Sequence, residues 1–437
     1  APERYSSRVL LRLHVTWFWC YMIKFIENQS ENSRERPRIY PTLEEAETIL
    51  QYAKLGPGDV MSTVQCLGFT QQLENDSLRL LEVDQTVLDS LSNGDEVCIR
   101  GHKGDSAVLC IADKTYDLRE AETSNNLLLL PECSLASDIE TEENKTIIPR
   151  FVIAMKQDYY ELRKIRPKLK RMTELLLENI FAGKELEEDD SHKGKKYTFS
   201  ELSDRVQASD QELLLALQKL NACLIDGCWR MLDADFMDTV LTNVLAAADE
   251  NSMDFTTIFP HKICSSMQDL YPRYIVEHII RCFTEQKLEP HQIAKPPSFA
   301  EDETVRLSED KICRFVAENF LKLNEKYNLN EFEKVWQAAV PAGMKTGMYQ
   351  LEGMVLIDKD LLTPVIRYFP VTELPETVEE RFNTLFRTKN KWSMDEIKPF
   401  IEDLATEKMS VGVLLTKNAR ASTQGGIKVY SSRRMLT

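Results

Sequence analysis

Regular patterning is absent from the first forty residues, apart from one apolar run, Leu13 to Ile23 (LHVTWFWCYMI), set between Arg12 and Lys24. At Thr42 the texture changes. Thr42-x-x-Glu45 forms a capping box, Leu43, Ala46, Ile49, Leu50 and Ala53 make a helical stripe, and Gly56-Pro57-Gly58 stops it. From Val60 to about Cys133 the period shifts to two or to short apolar runs: SLRLLEV, DEVCIRG, SAVLCIA, KTYDL and NLLLLP, with Gly94, Gly101 and Gly104 between them. These runs predict closely spaced strands in a small β-barrel or sandwich. After Tyr159, ELRKIRPKLKRMTELLLENIF predicts a helix carrying Arg163, Lys164, Arg166, Lys168, Lys170 and Arg171, with Pro167 kinking it or opening a new one.

Charged, apolar-poor Lys184 to Lys196 (KELEEDDSHKGKK) predicts a linker, and Lys295-Pro296-Pro297-Ser298 and Pro370 to Pro375 predict further breaks. Between them one arrangement recurs three times: two short amphipathic helices, then a β-hairpin. In the first copy Thr198-x-x-Glu201 and Ser209-x-x-Glu212 cap the helices, and Asp226-Gly227 is the hairpin turn of CLIDGCWRML. The second runs through LSEDKICRFVAENFLKL, NEFEKVWQAAV and VLIDKD/VIRYFP; the third uses Thr377-x-x-Glu380 and Ser393-x-x-Glu396, then SVGVLLTKNARAS and GGIKVYSSRR. Helix pairs closed by a hairpin read as winged helices. The expected class is therefore α+β: an N-terminal β-barrel or sandwich followed by three tandem winged-helix domains. The expected boundaries are 42–155 for the β-rich domain, 156–195 for a basic helix and linker, 196–300 for the first winged helix with extra helices, 301–375 for the second and 376–437 for the third. Residues 1–41 read as a disordered or artefactual extension.

Composition narrows the function. A chain of 437 residues that is 43% hydrophobic and 28% charged, with 15 Gly and 17 Pro, belongs with ordinary globular proteins of several domains. The net charge of −16 argues against a general DNA-coating role, so any nucleic-acid contact must be local. The apolar run at Leu13 is too short to span a bilayer, which takes about 20 residues, and no small-residue cleavage site follows it. The ten cysteines, among them Cys98 and Cys110 inside strand patterns, form no C-x2-C and read as reduced core thiols of an intracellular protein.

G-x-G-x-x-G, G-x4-G-K-[ST], H-E-x-x-H and G-x-S-x-G are all missing; Gly194-Lys195 follows Asp189 where a P-loop needs its first glycine. No catalytic residue, metal site or cofactor is expected. Cys223-x4-Cys228 straddles a hairpin without a second pair, so core cysteines outweigh a zinc site. Two basic clusters remain. Lys417, Arg420, Lys428, Arg433 and Arg434 occur near the end with no acidic residue between them. A helix from Ser410 would put Val411, Leu414 and Leu415 on one face and Lys417 and Arg420 on the other, free to meet phosphate. A solvated helix end satisfying the dipole explains the same charges equally well. The cluster Arg163 to Arg171 reads as a nuclear-import signal, a phosphate contact or an acidic-partner contact.

KTYDLREAETSNNLLLLPEC (114 to 133), YELRKIRPKLKRMTELL (160 to 176), LQKLNACLIDGCWRML (217 to 232), LSEDKIC (307 to 313), FEKVWQAAVPAGM (332 to 344), ERFNTLF (380 to 386) and GVLLTKNARASTQGGIKVYSSRR (412 to 434) resemble the metazoan family called "defective in sister chromatid cohesion". The resemblance runs from about Thr42 to the end, and residues 1–41 lie outside it. It implies a nuclear, non-ATPase adaptor subunit of the alternative replication-factor-C-like clamp loader, which acts on PCNA in DNA replication, sister chromatid cohesion and the cell cycle. The implied partners are two chromosome transmission fidelity proteins, namely the large ATPase subunit's C-terminal tail and a small subunit. They would be held by the β-rich domain, with DNA polymerase epsilon and DNA on the winged helices. No cofactor and no membrane are implied. Lys417, Arg420 and Arg433 fall at the family's basic positions, which favours sequence-independent DNA contact there. The alternative is a winged-helix transcription regulator, against which the recognition-helix candidate QELLLALQKLN, with its acids, is a poor base reader.

Overall fold

The structure, a computed structural model, describes residues 12–14, 21–24, 43–55, 63–101, 104–134, 146–187, 194–286, 288–358, 363–406 and 409–433. The chain is α+β and divides into two compact units, Ala1–Leu175 with Tyr197–Leu217, and Leu176–Lys196 with Gln218–Thr437.

The first unit runs β1 (Arg12–His14), β2 (Tyr21–Lys24), α1 (Leu43–Tyr52), β3 (Thr63–Phe69), β4 (Leu78–Glu82), α2 (Gln85–Asn93), β5 (Cys98–Arg100), β6 (Val108–Cys110), β7 (Thr115–Leu129), β8 (Thr146–Val152) and β9 (Ala154–Ile165). Seven strands form one sheet in the order β1-β2-β4-β9-β7-β6-β5, and β3 pairs in parallel with β8 apart from it. KTYDL and NLLLLP, expected as separate strands, are the two ends of β7, with a bulge between Glu122 and Leu127. Asp84, which accepts from Val87 N at 2.9 Å, and Gly94 at φ 77° close α2 at its two ends, a helix inside a stretch read as strands.

The helix expected after Tyr159 is a correction. Residues 154–165 are β9, inserted between β4 and β7 and paired with β7 from Thr115↔Ile165 to Leu129↔Ala154. The physical reason is period. Tyr160 and Leu162 alternate with Glu161 and Arg163 and pack against Leu81, Leu109 and Tyr116, so sheet burial decides against the helix propensity of the lysines and arginines. Helix begins only at α3 (Lys170–Leu177).

Two further helices, α4 (Phe199–Ser203) and α5 (Asp210–Lys219), follow. The Thr198/Glu201 capping box forms as its spacing predicts. At the start of α5, Glu212 Oε2 accepts from Ser209 Oγ at 2.8 Å and Thr115 Oγ1 at 2.6 Å, and Asp210 pairs with Arg100 at 2.6 Å.

In the second unit, β10 (Cys223–Ile225) and β11 (Cys228–Arg230) make the first hairpin; Asp226 and Gly227, at φ 50° and 78°, supply its two positive-φ turn positions. Then come α6 (Ala234–Glu250), α7 (Pro260–Ser266), α8 (Arg273–Cys282), α9 (Pro290–Ala294), α10 (Glu309–Leu323), β12 (Tyr327–Asn328), α11 (Leu329–Ala339), β13 (Val355–Asp358) and β14 (Val365–Tyr368). These share one core, in which Val240, Ile279, Ile312 and Trp336 are buried and Trp336 Nε1 donates to Cys313 O at 2.8 Å. The guanidinium of buried Arg230 donates to Asn179 O at 3.2 Å and to Glu187 at 2.8 Å. Hydrogen bonds from Arg230 and Lys196 hold the Glu187 carboxyl well down, at about 2.

The last module packs around a second core, to which Leu356 of β13 also contributes, and comprises α12 (Val378–Thr388), β15 (Trp392–Ser393), α13 (Met394–Ile401), α14 (Val411–Asn418), β16 (Ala419–Gln424) and β17 (Ile427–Ser432). Ser393 and Glu396 form the expected capping box. Among the described residues no helix is long and apolar enough to cross a membrane, and no group of three or more His, Cys, Asp or Glu side chains is placed to hold a metal ion.

Candidate nucleic-acid interface

Of the C-terminal basic residues, Arg420 and Lys428 sit on a three-stranded sheet, Lys417 on the helix before it and Arg433 just past its last strand. Leu414 and Leu415 of α14 are buried in the module core, which leaves Lys417 exposed beside Met409 Sδ at 3.7 Å. The helix stops at Asn418, because Ala419 turns extended at φ −129° and ψ 158°. β16 then pairs with β17 from Ala419↔Ser432 to Gln424↔Ile427 around Gly425-Gly426, whose φ values of 58° and 83° suit the tight turn. β15 adds the third strand through Trp392↔Tyr430 and Ser393↔Val429.

This geometry corrects one expectation and sorts the rest. Arg420 is not on a helical face with Lys417; it lies on β16 opposite Ser431. Side chains alternate along a strand, so Arg420, Ser422 and Gln424 share a face with Ile427, while Ala421, Lys428 and Tyr430 share the other. The second face carries Tyr430 and Trp392 into the core, and Lys428 Nζ lies 5.5 Å from the Tyr430 ring centre. Arg420 and Lys428 are both exposed but on opposite faces. Arg433 is spent locally on the carbonyls of Thr416 and Ala419. Arg434 lies outside the described residues.

One residue the sequence reading missed joins the Arg420 face. Lys391, just ahead of β15, donates to Gln424 Oε1 at 3.0 Å. A two-residue strand is too short to show alternation, so the only signal was the polar TKNK run leading into the Ser393 cap. Elsewhere in the module Arg381 pairs with Asp403 at 3.2 Å and Lys389 with Glu396 at 2.8 Å. Burial pushes the Glu396 carboxyl up, but hydrogen bonds from Lys389 and the Ser393 backbone outweigh it and leave it below the usual range. Among the described residues no acidic side chain lies within ion-pair distance of Lys391, Lys417, Arg420 or Lys428. In a chain of net charge −16, that leaves a locally uncompensated positive surface able to meet a phosphate backbone.

The other basic cluster is not gathered on one element. Arg163 lies on β9 and pairs with Glu161 at 3.1 Å, Lys168 donates to Gln207 Oε1 at 2.9 Å, and Arg171 on α3 pairs with Glu174 at 3.2 Å. Lys164 ends up opposite Tyr116 on β7, Arg166 follows the strand end, and Lys170 opens α3. Strand, turn and helix divide a run that a single helix would have displayed on one surface.

A sheet unit followed by repeated helix and hairpin elements, with a basic terminal sheet, defines an α+β protein of several modules. The family model described as Sister chromatid cohesion protein Dcc1 matches residues 78–401. Sister chromatid cohesion protein DCC1 of Xenopus laevis is 39% identical over 396 residues, covering 90% of this chain and 99% of that protein. The protein of the same name from Homo sapiens is 37% identical over 400 residues, covering 91% and 99%. The one from Saccharomyces cerevisiae is 25% identical over 358 residues, covering 75% and 87%. The chain belongs to the sister chromatid cohesion protein Dcc1 family.

Proposed function

We propose that this chain acts in sister chromatid cohesion as a non-catalytic adaptor subunit of an alternative replication-factor-C-like clamp loader. In this reading it works on PCNA in the nucleus and links the loader to DNA polymerase epsilon and DNA. The observation that carries the proposal is the family match over residues 78–401, supported by relatives whose nearly whole length is covered. The sheet of the first unit, with the separate β3–β8 pair and the exposed Leu67 and Phe69 on β3, is the surface for the two chromosome transmission fidelity partners, in a barrel-like assembly. The helix pairs closed by β13–β14 and β16–β17 act as winged helices. The last of them contacts DNA without reading sequence, because lysine and arginine on phosphate carry no base information.

The transcription-regulator alternative loses ground at α5. Asp210 and Glu212, in the first turn of that recognition-helix candidate, are engaged with Arg100, Ser209 and Thr115 and offer no bidentate donor to a base edge. Co-expression of the full chain with the two proposed partner subunits tests the adaptor reading. The expected outcome is a single complex on size exclusion, and separate elution of this chain would overturn it.

A further inference from the structure

A groove of about 780 Å³ lies in the second unit between α6, α10 and the residues after α11. Its floor is apolar, made by Leu241, Leu245, Phe255, Val316, Phe320 and Val340. The lining positions on α6 recur every three to four residues from Ala234 to Asp249, so they form one stripe of ~22 Å at 1.5 Å per residue. That length matches about four turns of a second helix.

The rim is acidic on the α6 side, at Asp235, Asp238 and Asp249. Asp238 Oδ1 accepts from Asn319 Nδ2 at 3.1 Å, and among the described residues no cation lies within pairing distance of the three aspartates. The lysine on the opposite rim, Lys322, is already paired with Glu318 at 2.8 Å. Helix stability accounts for Asp235 in the first turn of α6, but not for Asp249 and Glu250 at its C-terminal end, where the helix dipole disfavours acids. Leu323, 75% exposed, stands on the lip as an apolar side chain with nothing over it among the described residues.

We infer that this groove receives an amphipathic helix of a partner protein, whose apolar stripe fills the floor and whose flanking lysines or arginines meet the α6 aspartates. An apolar trough whose α6 edge carries acidic side chains paired with no cation among the described residues selects both a stripe spaced by three and four residues and a positive flank. The site is independent of the basic C-terminal sheet, so the two readings fail separately.

The test uses the full chain and a displayed library of 15-residue helical peptides. Each has leucines fixed at three-to-four spacing and flanks randomised among lysine, glutamate and serine. Lysine-flanked peptides should be enriched, and the double variant Asp238→Lys, Asp249→Lys should bind them at least tenfold more weakly and select glutamate flanks instead. Leu323→Ser, at an exposed position, should weaken binding severalfold, and it carries the test if the double variant fails to fold. Recovery of no peptide, recovery of neutral or acidic flanks, or binding indifferent to these changes would overturn the inference.

Discussion

The Arg433 guanidinium reaches back to the end of α14, where one nitrogen donates to Thr416 O at 2.7 Å. Its Nε donates to Ala419 O at 3.2 Å. Thr416 carries one of the last carbonyls of the helix, which have no partner within it, and a cation there also suits the dipole. Arg433 thus fastens the exit of β17 to the exit of α14, and its first task is holding the sheet against the helix.

Arg433→Ala should therefore loosen the C-terminal module, by about 1 kcal/mol for two charge-assisted bonds, one exposed and one part-buried. Hydrogen exchange is the measurement. Amides of β16 and β17 should exchange roughly fivefold faster, with α6 to α8 unchanged; uniform protection would show that the contact contributes nothing.

For DNA, the face shared by Arg420 and Lys391 should matter more than Lys428 on the opposite face. Duplex binding by the double variant Lys391→Ala, Arg420→Ala should weaken similarly for unrelated sequences, and the log-log salt slope should flatten by ~1.8, at ~0.9 per phosphate contact. Anisotropy titrations across salt concentrations read both quantities. An unchanged slope would leave these residues as solvated surface.

How much was legible follows from which signals are local. Capping boxes at Thr198 and Ser393 and the Asp226-Gly227 turn involve neighbours in sequence, and they stand where their spacing puts them. Long-range pairing was hidden. The run ending at Ile165 reads as helix by composition, and only the distant β7 and β4 make it a central strand. Arg420 was assigned to α14 because nothing in LLTKNAR marks a stop, and the stop comes from β17, whose pairing begins at Ala419↔Ser432. Lys391 escaped notice for the same reason: its sheet neighbour Gln424 is remote in sequence.

Stability should respond to acid through Glu187. Its carboxyl is held near 2, below the ordinary 4.5, by hydrogen bonds from Arg230 first and Lys196 next. A depressed carboxylate contributes stability that is present above about pH 4.5 and lost as pH falls toward 2. Glu187→Gln should cost about 1 kcal/mol at pH 7, and denaturant titrations should show that difference shrinking between pH 4.5 and 2. A difference constant with pH would mean the ion pair is not the cause.

Thiol chemistry should divide by burial. Burial pushes Cys110, Cys264 and Cys313 up to about 11 and Cys282 to about 12, whereas Cys133 is exposed. Iodoacetamide at pH 8 should modify Cys133 at least tenfold faster than these four, since the thiolate is the nucleophile. Peptide mass spectrometry over time reads the order, and early labelling of Cys282 would contradict the packing around α8.

The strand assignment of β9 makes a demand that a helix would not. Leu162 pairs opposite Leu118 and packs against the cluster of Leu81, Val87 and Leu109, while Arg163 next to it points to the other face with its side chain 59% exposed. In a strand, adjacent residues differ as much as two residues can; in a helix they lie only about 100° apart. Leu162→Asp puts an unpaired carboxylate at a half-buried position against the sheet core and should destabilise the first unit by about 2 kcal/mol. Arg163→Asp gives up one exposed ion pair, worth at most about 1 kcal/mol. Urea unfolding of the two variants followed by Trp and Tyr fluorescence, with limited proteolysis to localise the effect, distinguishes them. Equal losses at both positions would place residues 160–165 on something other than a central strand, and the sheet order β4-β9-β7 would fall with it.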